Sequence, residues 1–231
     1  MHIRPVRCEV NWEGAKKVIL DRAESTDTDF VVVGSHGASA LTRFLLGNVA
    51  AAVLRYAPCS VEVVRARVRE KESQSGTRVL LATDGSECSE LAARSIAEWT
   101  LPIGTEVRVL SAVELVLPGV RAFLEPPFVD SALMKSLRGE AMKRAQNAIG
   151  AAAQILSSSA LTVSESISVL LESPKAVILD EAERWGADLI VLGSHGRRPL
   201  DRFLLGSVSE AVALHAACSV EVIRKHGSLP G

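Results

Sequence analysis

A glycine-rich turn near the end of the chain has the clearest chemical meaning in this sequence. Residues 189–192 are apolar and are typical of a strand that is buried on both faces. Gly193 and Gly196 follow the strand, and after nine further residues Gly206 and Ser207 precede a helical run. Glycine tolerates positive φ and lets backbone amides approach an anion, and a helix start offers unpaired N–H groups. This order of elements predicts a phosphate-binding loop.

Asp84 is a second residue whose position suits a ligand. It follows an apolar strand at residues 79–82 and precedes Gly85 and a helix that starts near Ser86. An Asp-Gly pair commonly forms a turn, so Asp84 has a purely structural explanation. At the carboxyl end of a strand, its carboxylate also faces the crevice, where it can accept hydrogen bonds from a ribose hydroxyl or an adenine amino group. On the basis of this geometry, we favour a ligand-binding role for Asp84 over a purely structural one.

The glycine loop also has structural explanations. Gly193 and Gly196 could form only a turn, and Ser207 with Glu210 matches a capping box, in which Ser207 caps the helix. We favour phosphate binding because strand, loop and helix follow in the order that such a site needs. His195 is an isolated loop histidine without a ligand partner at metal-site spacing, so we expect it to be structural.

The motifs of several enzyme classes are missing from the sequence. It contains no G-x4-G-K-[ST] loop, no G-x-G-x-x-G loop, no G-x-S-x-G elbow and no H-E-x-x-H motif. No nucleophile is paired with a base, and we identify no residue that would position an attacking water. We therefore expect no catalytic residue and no metal site built from protein ligands.

Most of the loop pattern occurs twice in the chain. Residues 1–65 match residues 160–224 without a gap, and 31 of the 65 pairs are identical. A match of this length is half a domain, so the chain contains a duplication. Asn48 replaces Ser207 in the first copy, which also lacks a counterpart of Asp84. Both differences argue against nucleotide binding by the first copy.

Strands and helices alternate around these residues. The second copy predicts strands at residues 79–82, 106–113, 167–171, 189–192 and 219–223, and helices from about 86, at 130–157, at 174–185 and at 208–217. The first copy predicts strands at residues 6–12, 30–33 and 60–64, and helices at 15–25 and 48–56. This alternation implies a parallel sheet that is covered on both faces. The charged, serine-rich composition of residues 66–77 is typical of a linker. The predicted units are therefore a half-domain (1–65), the linker (66–77), a complete domain (78–224) and a tail (225–231).

Two motifs at opposite ends of the complete domain resemble the universal stress protein family. The spacing Gly193-x2-Gly196-x9-Gly206-Ser207 is similar to the nucleotide loop of its ATP-binding branch, and residues 78–86, RVLLATDGS, resemble its opening strand. The resemblance implies an α/β fold of the doubly wound, Rossmann-like type, with a five-stranded parallel sheet in the order 3-2-1-4-5. It covers residues 78–224 as a whole domain and 1–65 as the latter part of another.

The resemblance also implies a ligand, ATP, alone or with Mg or Mn. The nucleotide-binding residues that we expect are Ala82, Asp84, Val113, Gly193, Gly196, Gly206, Ser207 and Val208. The preferred function is a nucleotide-dependent binding module in stress response or signalling. One alternative is a nucleotide-free scaffold that pairs through strands 60–64 and 219–223, either as a homodimer or within the chain. The other is a slow ATP hydrolase or a self-phosphorylating protein, with Ser207 or Ser86 as the acceptor.

Composition limits the partners and the compartment. The 231 residues are 48% hydrophobic and carry a net charge of −1, so we expect neither nucleic acid nor an acidic membrane surface as a partner. The N-terminus lacks the apolar core of a signal peptide, and no apolar run is long enough to span a bilayer. The four cysteines show neither metal-site spacing nor a disulfide framework, which favours a reducing cytoplasm.

The first copy raises a structural question. If Met1 corresponds to Ala160, this copy has no counterpart of residues 78–159. In the family order the missing strands lie between the remaining ones, so its sheet would have a gap. We expect this half to be less stable, because the apolar strand at residues 30–33 needs cover on both faces.

Overall fold

The structure is a computed structural model that describes residues 14–36, 46–65, 76–115, 131–157, 159, 161–170, 172–196 and 205–225. These residues form six helices and seven strands. The helices are α1 (Ala15–Ser25), α2 (Asn48–Tyr56), α3 (Glu87–Glu98), α4 (Ser131–Leu156), α5 (Pro174–Trp185) and α6 (Ser207–His215). The strands are β1 (Phe30–Gly34), β2 (Ser60–Val64), β3 (Arg78–Ala82), β4 (Glu106–Glu114), β5 (Thr162–Leu170), β6 (Leu189–Gly193) and β7 (Ser219–Ile223).

All seven strands form one sheet in the order β1-β2-β7-β6-β3-β4-β5. The strands of the second copy, β3 to β7, are parallel to one another and have the predicted order 3-2-1-4-5. The sheet differs from the five-stranded prediction because β2 pairs with β7 in antiparallel register and adds the two strands of the first copy. The last strands of the two copies therefore pair within the chain.

Most predicted elements are found within a few residues of their predicted bounds. The exception is β5, which begins at Thr162 rather than near residue 167. Its first half, residues 162–166, is polar apart from Val163, and a strand at the sheet edge tolerates polar residues. The predicted strand at residues 6–12 lies outside the described residues, as do 66–75 of the linker and 226–231 of the tail.

The two faces of the sheet carry separate apolar cores, as expected for strands buried on both sides. Leu80 and Ile190 pack with Leu54 in the core on one face. Leu81 and Val191 pack with residues of α3 and α4 in the core on the other face. Cys88 of α3 is only half-buried. The buried residues of this helix are Ser89, Ala92, Ala93 and Ile96.

The first copy is less covered than the second. Val32 on β1 is 55% exposed, whereas its counterpart Val191 on β6 is fully buried under α3. Among the described residues, β1 has β2 as its only strand partner, and no element takes the place that α3 has on β6. In the described part of the chain, no helix is both long and apolar enough to cross a membrane.

Candidate functional site

The predicted site residues meet at the carboxyl ends of β3 and β6. These two strands are parallel neighbours, with Ala82 opposite Leu192, so the chain leaves both of them at the same edge of the sheet. Asp84 lies two residues beyond Ala82, and Gly193 to Gly196 form the turn after β6. The topology thus brings together two segments that are far apart in sequence.

Asp84 and Gly196 lie very close to each other at this edge of the sheet. A Cβ atom on Gly196 would lie only 2.7 Å from Oδ2 of Asp84. The other carboxylate oxygen, Oδ1, accepts a hydrogen bond of 3.0 Å from the backbone N–H of Ser86. Gly85 between them has a φ of 73°, which a glycine adopts without strain. Asp84 therefore serves the turn with one oxygen and faces the glycine loop with the other.

Gly193 and Gly206 are required by close backbone contacts. A Cβ atom on Gly193 would lie 2.7 Å from the carbonyl carbon and the Cβ of Cys88. A Cβ atom on Gly206 would lie 2.9 Å from the carbonyl oxygen of Ser194. Contacts this short leave no room for a side chain, so both glycines let the loop lie against its neighbours.

The loop glycines do not use positive φ in the structure. Glycines with positive φ in the described residues lie elsewhere, at Gly85, Gly104 and Gly186. The physical requirement at Gly193, Gly196 and Gly206 is space rather than a left-handed backbone.

Backbone hydrogen bonds attach the turn after β6 to the start of α6. The N–H of Gly206 donates to the carbonyl oxygen of Ser194 at 2.8 Å, and Ser209 Oγ donates to the carbonyl oxygen of Gly193 at 2.7 Å. The first copy repeats the first of these bonds, since the N–H of Gly47 donates to Ser35 at 2.8 Å. The residue before the helix is therefore bonded to the residue after the strand in the same way in both copies.

The predicted capping box at α6 was wrong. Gly206 is the N-cap, with extended backbone, and Ser207 is the first helical residue. Glu210 accepts a bond of 2.6 Å from Nε of Arg55 instead of turning back to the cap. Ser207 is exposed and its side chain makes no capping bond, so its hydroxyl lies at the helix start without a capping role.

The start of α3 converges on the same region. Ser86 is its N-cap, and its hydroxyl accepts a bond of 3.4 Å from the N–H of Ser89. The same hydroxyl donates to the carbonyl oxygen of His195 at 3.2 Å. Two helix N-termini, those of α3 and α6, therefore border the turn after β6. The partial positive charge at these two helix N-termini makes this edge of the sheet favourable for an anion.

The remaining predicted residues lie on the strands and on α6. Ala82 is buried at the end of β3, and Val208 is half-buried in the first turn of α6. Val113 is half-buried in β4, three residues beyond Leu110, the last β4 residue that pairs with β3.

Sequence reasoning did not identify Ser111 as a site residue. Its hydroxyl is buried next to the end of β3 and has no hydrogen-bond partner in the described part of the chain. A serine within the apolar stretch of residues 109–113 in β4 was the available signal.

His195 has the features of a structural histidine. Its Nδ1 lies 3.0 Å from Ser194 Oγ, and His36 of the first copy repeats this contact with Ser35 at 3.1 Å. Burial, with a smaller contribution from Arg224, lowers the pKa of His195 and favours the neutral ring. A histidine that recurs with the same partner in both copies serves the shared turn.

Comparison with known proteins agrees with this architecture. The model of the universal stress protein family matches residues 2–65 and 76–224, which is most of the chain. The chain belongs to the universal stress protein family. A universal stress protein of Mycobacterium tuberculosis (strain H37Rv) is 33% identical over 197 residues, which are 84% of this chain and 60% of that protein. The chain thus spans about three fifths of the length of this curated relative.

Solved structures of universal stress proteins share the fold. UspA from Lactobacillus plantarum has 28% identity and a TM-score of 0.52, and the match covers 66% of this chain and all of that one. A putative universal stress protein from Pseudomonas aeruginosa has a TM-score of 0.60 over 93% of this chain and 69% of its own. At 17% identity, the latter supports the fold alone.

Proposed function

We propose that this universal stress protein binds ATP at the second copy and acts in stress response or signalling as a nucleotide-dependent binding module. The observation that carries the proposal is the pairing of Asp84 with Gly196 beside the N-termini of α3 and α6. Loop amides that are not crowded by side chains can surround phosphate oxygens, and the two helix ends add partial positive charge.

The residues present fit an adenine nucleotide. Gly196 and Gly206 would let the backbone approach the phosphates, since neither carries a side chain, and Ser207 would add an exposed hydroxyl at the start of α6. Asp84 would accept a hydrogen bond from a hydroxyl or amino group of the nucleoside, and Ala82 and Val113 would border the base. Mg or Mn would accompany the phosphates and offset their charge. We expect one site per chain, since the first copy has Asn48 in place of Ser207 and no counterpart of Asp84.

The nucleotide-free scaffold is less well supported. In that alternative, strands β2 and β7 pair through their open edges, either as a homodimer or within the chain. In the structure they pair with each other, Val61 opposite Val222 and Val63 opposite Val220. The partner edge that a homodimer through the last strands would need is already occupied within the chain.

Thermal unfolding with ATP tests the proposal. A ligand at 100 times its Kd stabilises the native state by about 2.7 kcal/mol, so millimolar ATP with Mg²⁺ is expected to raise the Tm by several degrees. Gly196→Val is expected to abolish this shift while leaving the Tm without ATP nearly unchanged. Gly37→Val, at the aligned position of the first copy, is the matched control and should keep the shift. No shift in the unmodified protein, or a full shift in Gly196→Val, would contradict the proposal.

A further inference from the structure

A groove of about 740 Å³ lies between α3 and the sheet, and neither Asp84 nor the loop glycines line it. Leu91 and Trp99 of α3 form one wall, and Phe30 at the start of β1 lies across from them. Glu62 of β2 and Glu221 of β7 also line the groove. Its volume is in the range of small-molecule sites, and its walls are mainly apolar.

Glu62 and Glu221 are directly opposite each other across the β2–β7 pair. Residues in this relation project from the same face of the sheet with their Cβ atoms about 5 Å apart. Two carboxylates at this spacing repel each other unless a proton or a cation lies between them. The duplication causes this arrangement, because the same Ser-Val-Glu-Val strand occurs in both copies and the two strands pair in antiparallel register.

Glu221 lacks the partner that a buried carboxyl group needs. Its side chain is only 1% exposed, and neither carboxylate oxygen has a hydrogen-bond partner within the described residues. A buried carboxyl group without a partner costs several kcal/mol, and native proteins rarely contain one. Burial first, and the charge of Glu62 second, raise the pKa of Glu221 to about 8. Burial also raises the pKa of Glu62.

Four acidic and three basic residues line the groove, the Glu62–Glu221 pair included. Asp29 and Glu98 also line the groove, together with Arg94, Arg224 and Lys225. Lys225 pairs with Glu87 at 2.7 Å, and Arg224 directs Nη2 to the carbonyl oxygen of Leu54 at 2.7 Å. Arg94 is exposed on α3. Two of the three basic residues therefore have partners other than the Glu62–Glu221 pair.

We propose that this groove binds a small organic cation whose amidinium, guanidinium or ammonium group contacts Glu62 and Glu221. A planar cation can donate two parallel hydrogen bonds to a carboxylate, and its apolar body would lie against Leu91, Trp99 and Phe30. Within the described residues no third histidine, cysteine or carboxylate joins the pair to make a metal-binding group, which favours an organic cation over a metal ion.

Calorimetric titration with benzamidine tests this site, and benzamide serves as its neutral control of the same shape. Benzamidine should bind at least about tenfold more tightly at pH 9 than at pH 6, because ionised Glu221 is the binding form. Benzamide should not bind at either pH. Benzamidine binding should also release protons near pH 7.5, seen as an observed enthalpy that depends on the ionisation enthalpy of the buffer.

Two variants and one control complete the test. Glu221→Gln and Glu62→Gln should each weaken benzamidine binding about tenfold or more, and Glu221→Gln should remove the pH dependence. Glu165→Gln, on the exposed part of β5 at the far edge of the sheet, should bind like the unmodified protein. Circular dichroism checks that each variant is folded. If only one of the two glutamate variants folds, that variant alone is sufficient for the test. Equal binding of benzamide, no binding of benzamidine at millimolar concentration, or unchanged affinity in the folded variants would overturn the proposal.

Discussion

Gly193 and Cys88 lie so close that a Cβ atom on Gly193 would be 2.7 Å from the carbonyl carbon of Cys88. The same atom would be 2.8 Å from the backbone nitrogen of Ser89, so the end of β6 packs directly on the backbone of α3. At the equivalent position of the first copy, Gly34, the nearest atom is the carbonyl oxygen of His36 at 3.7 Å. One sequence motif therefore meets two different environments.

Gly193→Ala is expected to destabilise the protein by about 1–3 kcal/mol, because backbone cannot move aside as the end of a flexible side chain can. Gly34→Ala is expected to change the free energy of unfolding by less than about 1 kcal/mol. Urea unfolding of both variants measures the difference. Equal losses in the two variants would show that the α3 contact does not set the requirement for glycine.

Arg65 and Arg224 join the two copies in a reciprocal way. Arg65, which follows β2, donates from Nη2 to the carbonyl oxygen of Ala213 in α6 at 2.8 Å. Arg224, which follows β7, donates from Nη2 to the carbonyl oxygen of Leu54 in α2 at 2.7 Å. Both guanidinium groups are buried, and each satisfies the C-terminal end of a helix in the other copy.

Arg65→Ala and Arg224→Ala are each expected to cost about 2 kcal/mol or more of unfolding free energy. Each loses charge-assisted hydrogen bonds and leaves buried carbonyl groups without a donor. Arg138→Ala on the exposed side of α4 is the control and should change stability by at most about 0.5 kcal/mol. Denaturant unfolding followed by circular dichroism gives all three values. Losses no larger than that of the control would argue against the reciprocal contacts as the link between copies.

Much of the fold follows from sequence patterns. Apolar runs such as that of β6 and the helical spacing of α4 predict the elements, and the duplication predicts that β2 and β7 are equivalent. The pairing of Glu62 with Glu221 is different, because register between the copies depends on how two edges meet in space. A sequence pattern indicates which strands lie at the edge of each copy, but it does not determine which edge pairs with which.

The site was predicted in outline and not in detail. The positions of Asp84 and Gly196 follow from a parallel sheet, since both come after strands that end at one edge. Ser207 fits a capping box by spacing, yet Gly206 takes the cap because the loop must contact the carbonyl oxygen of Ser194 there. Close tertiary contact decided this position, and local sequence rules do not contain that information.

Stability is expected to fall between about pH 4.5 and pH 8 through Glu221. Its pKa in the folded protein is about 8, above the ordinary value of 4.5, so the unfolded chain loses this proton at lower pH than the native state does. The contribution of Glu221 to the free energy of unfolding is fully present below pH 4.5. As the pH rises through this window, it is lost by at most about 1.4 kcal/mol per pH unit.

Urea unfolding of the unmodified protein and of Glu221→Gln at several pH values isolates this contribution. The difference between the two free energies should change with pH across the window, with the unmodified protein losing relative stability as the pH rises. Glu165→Gln should run parallel to the unmodified protein. A constant difference for Glu221→Gln would mean that its carboxyl group titrates normally.

Hydrogen exchange is expected to be faster in β1 than in β6. The two strands are equivalent in sequence, but Val32 is 55% exposed while Val191 is fully buried, and β6 has strand partners on both sides. Local opening therefore costs less free energy in β1. Exchange followed by mass spectrometry compares the two strands in one sample. Equal protection would show that the first copy is as stable as the second.

The number of ATP molecules bound per chain tests the account most directly. We place the phosphates at Gly196, Gly206 and Ser207 of the second copy. We expect no nucleotide at the first copy, which lacks a counterpart of Asp84. Calorimetric titration of ATP with Mg²⁺ into the purified chain measures the number. We predict one site per chain. Two sites per chain, or no binding at millimolar ATP, would contradict the account.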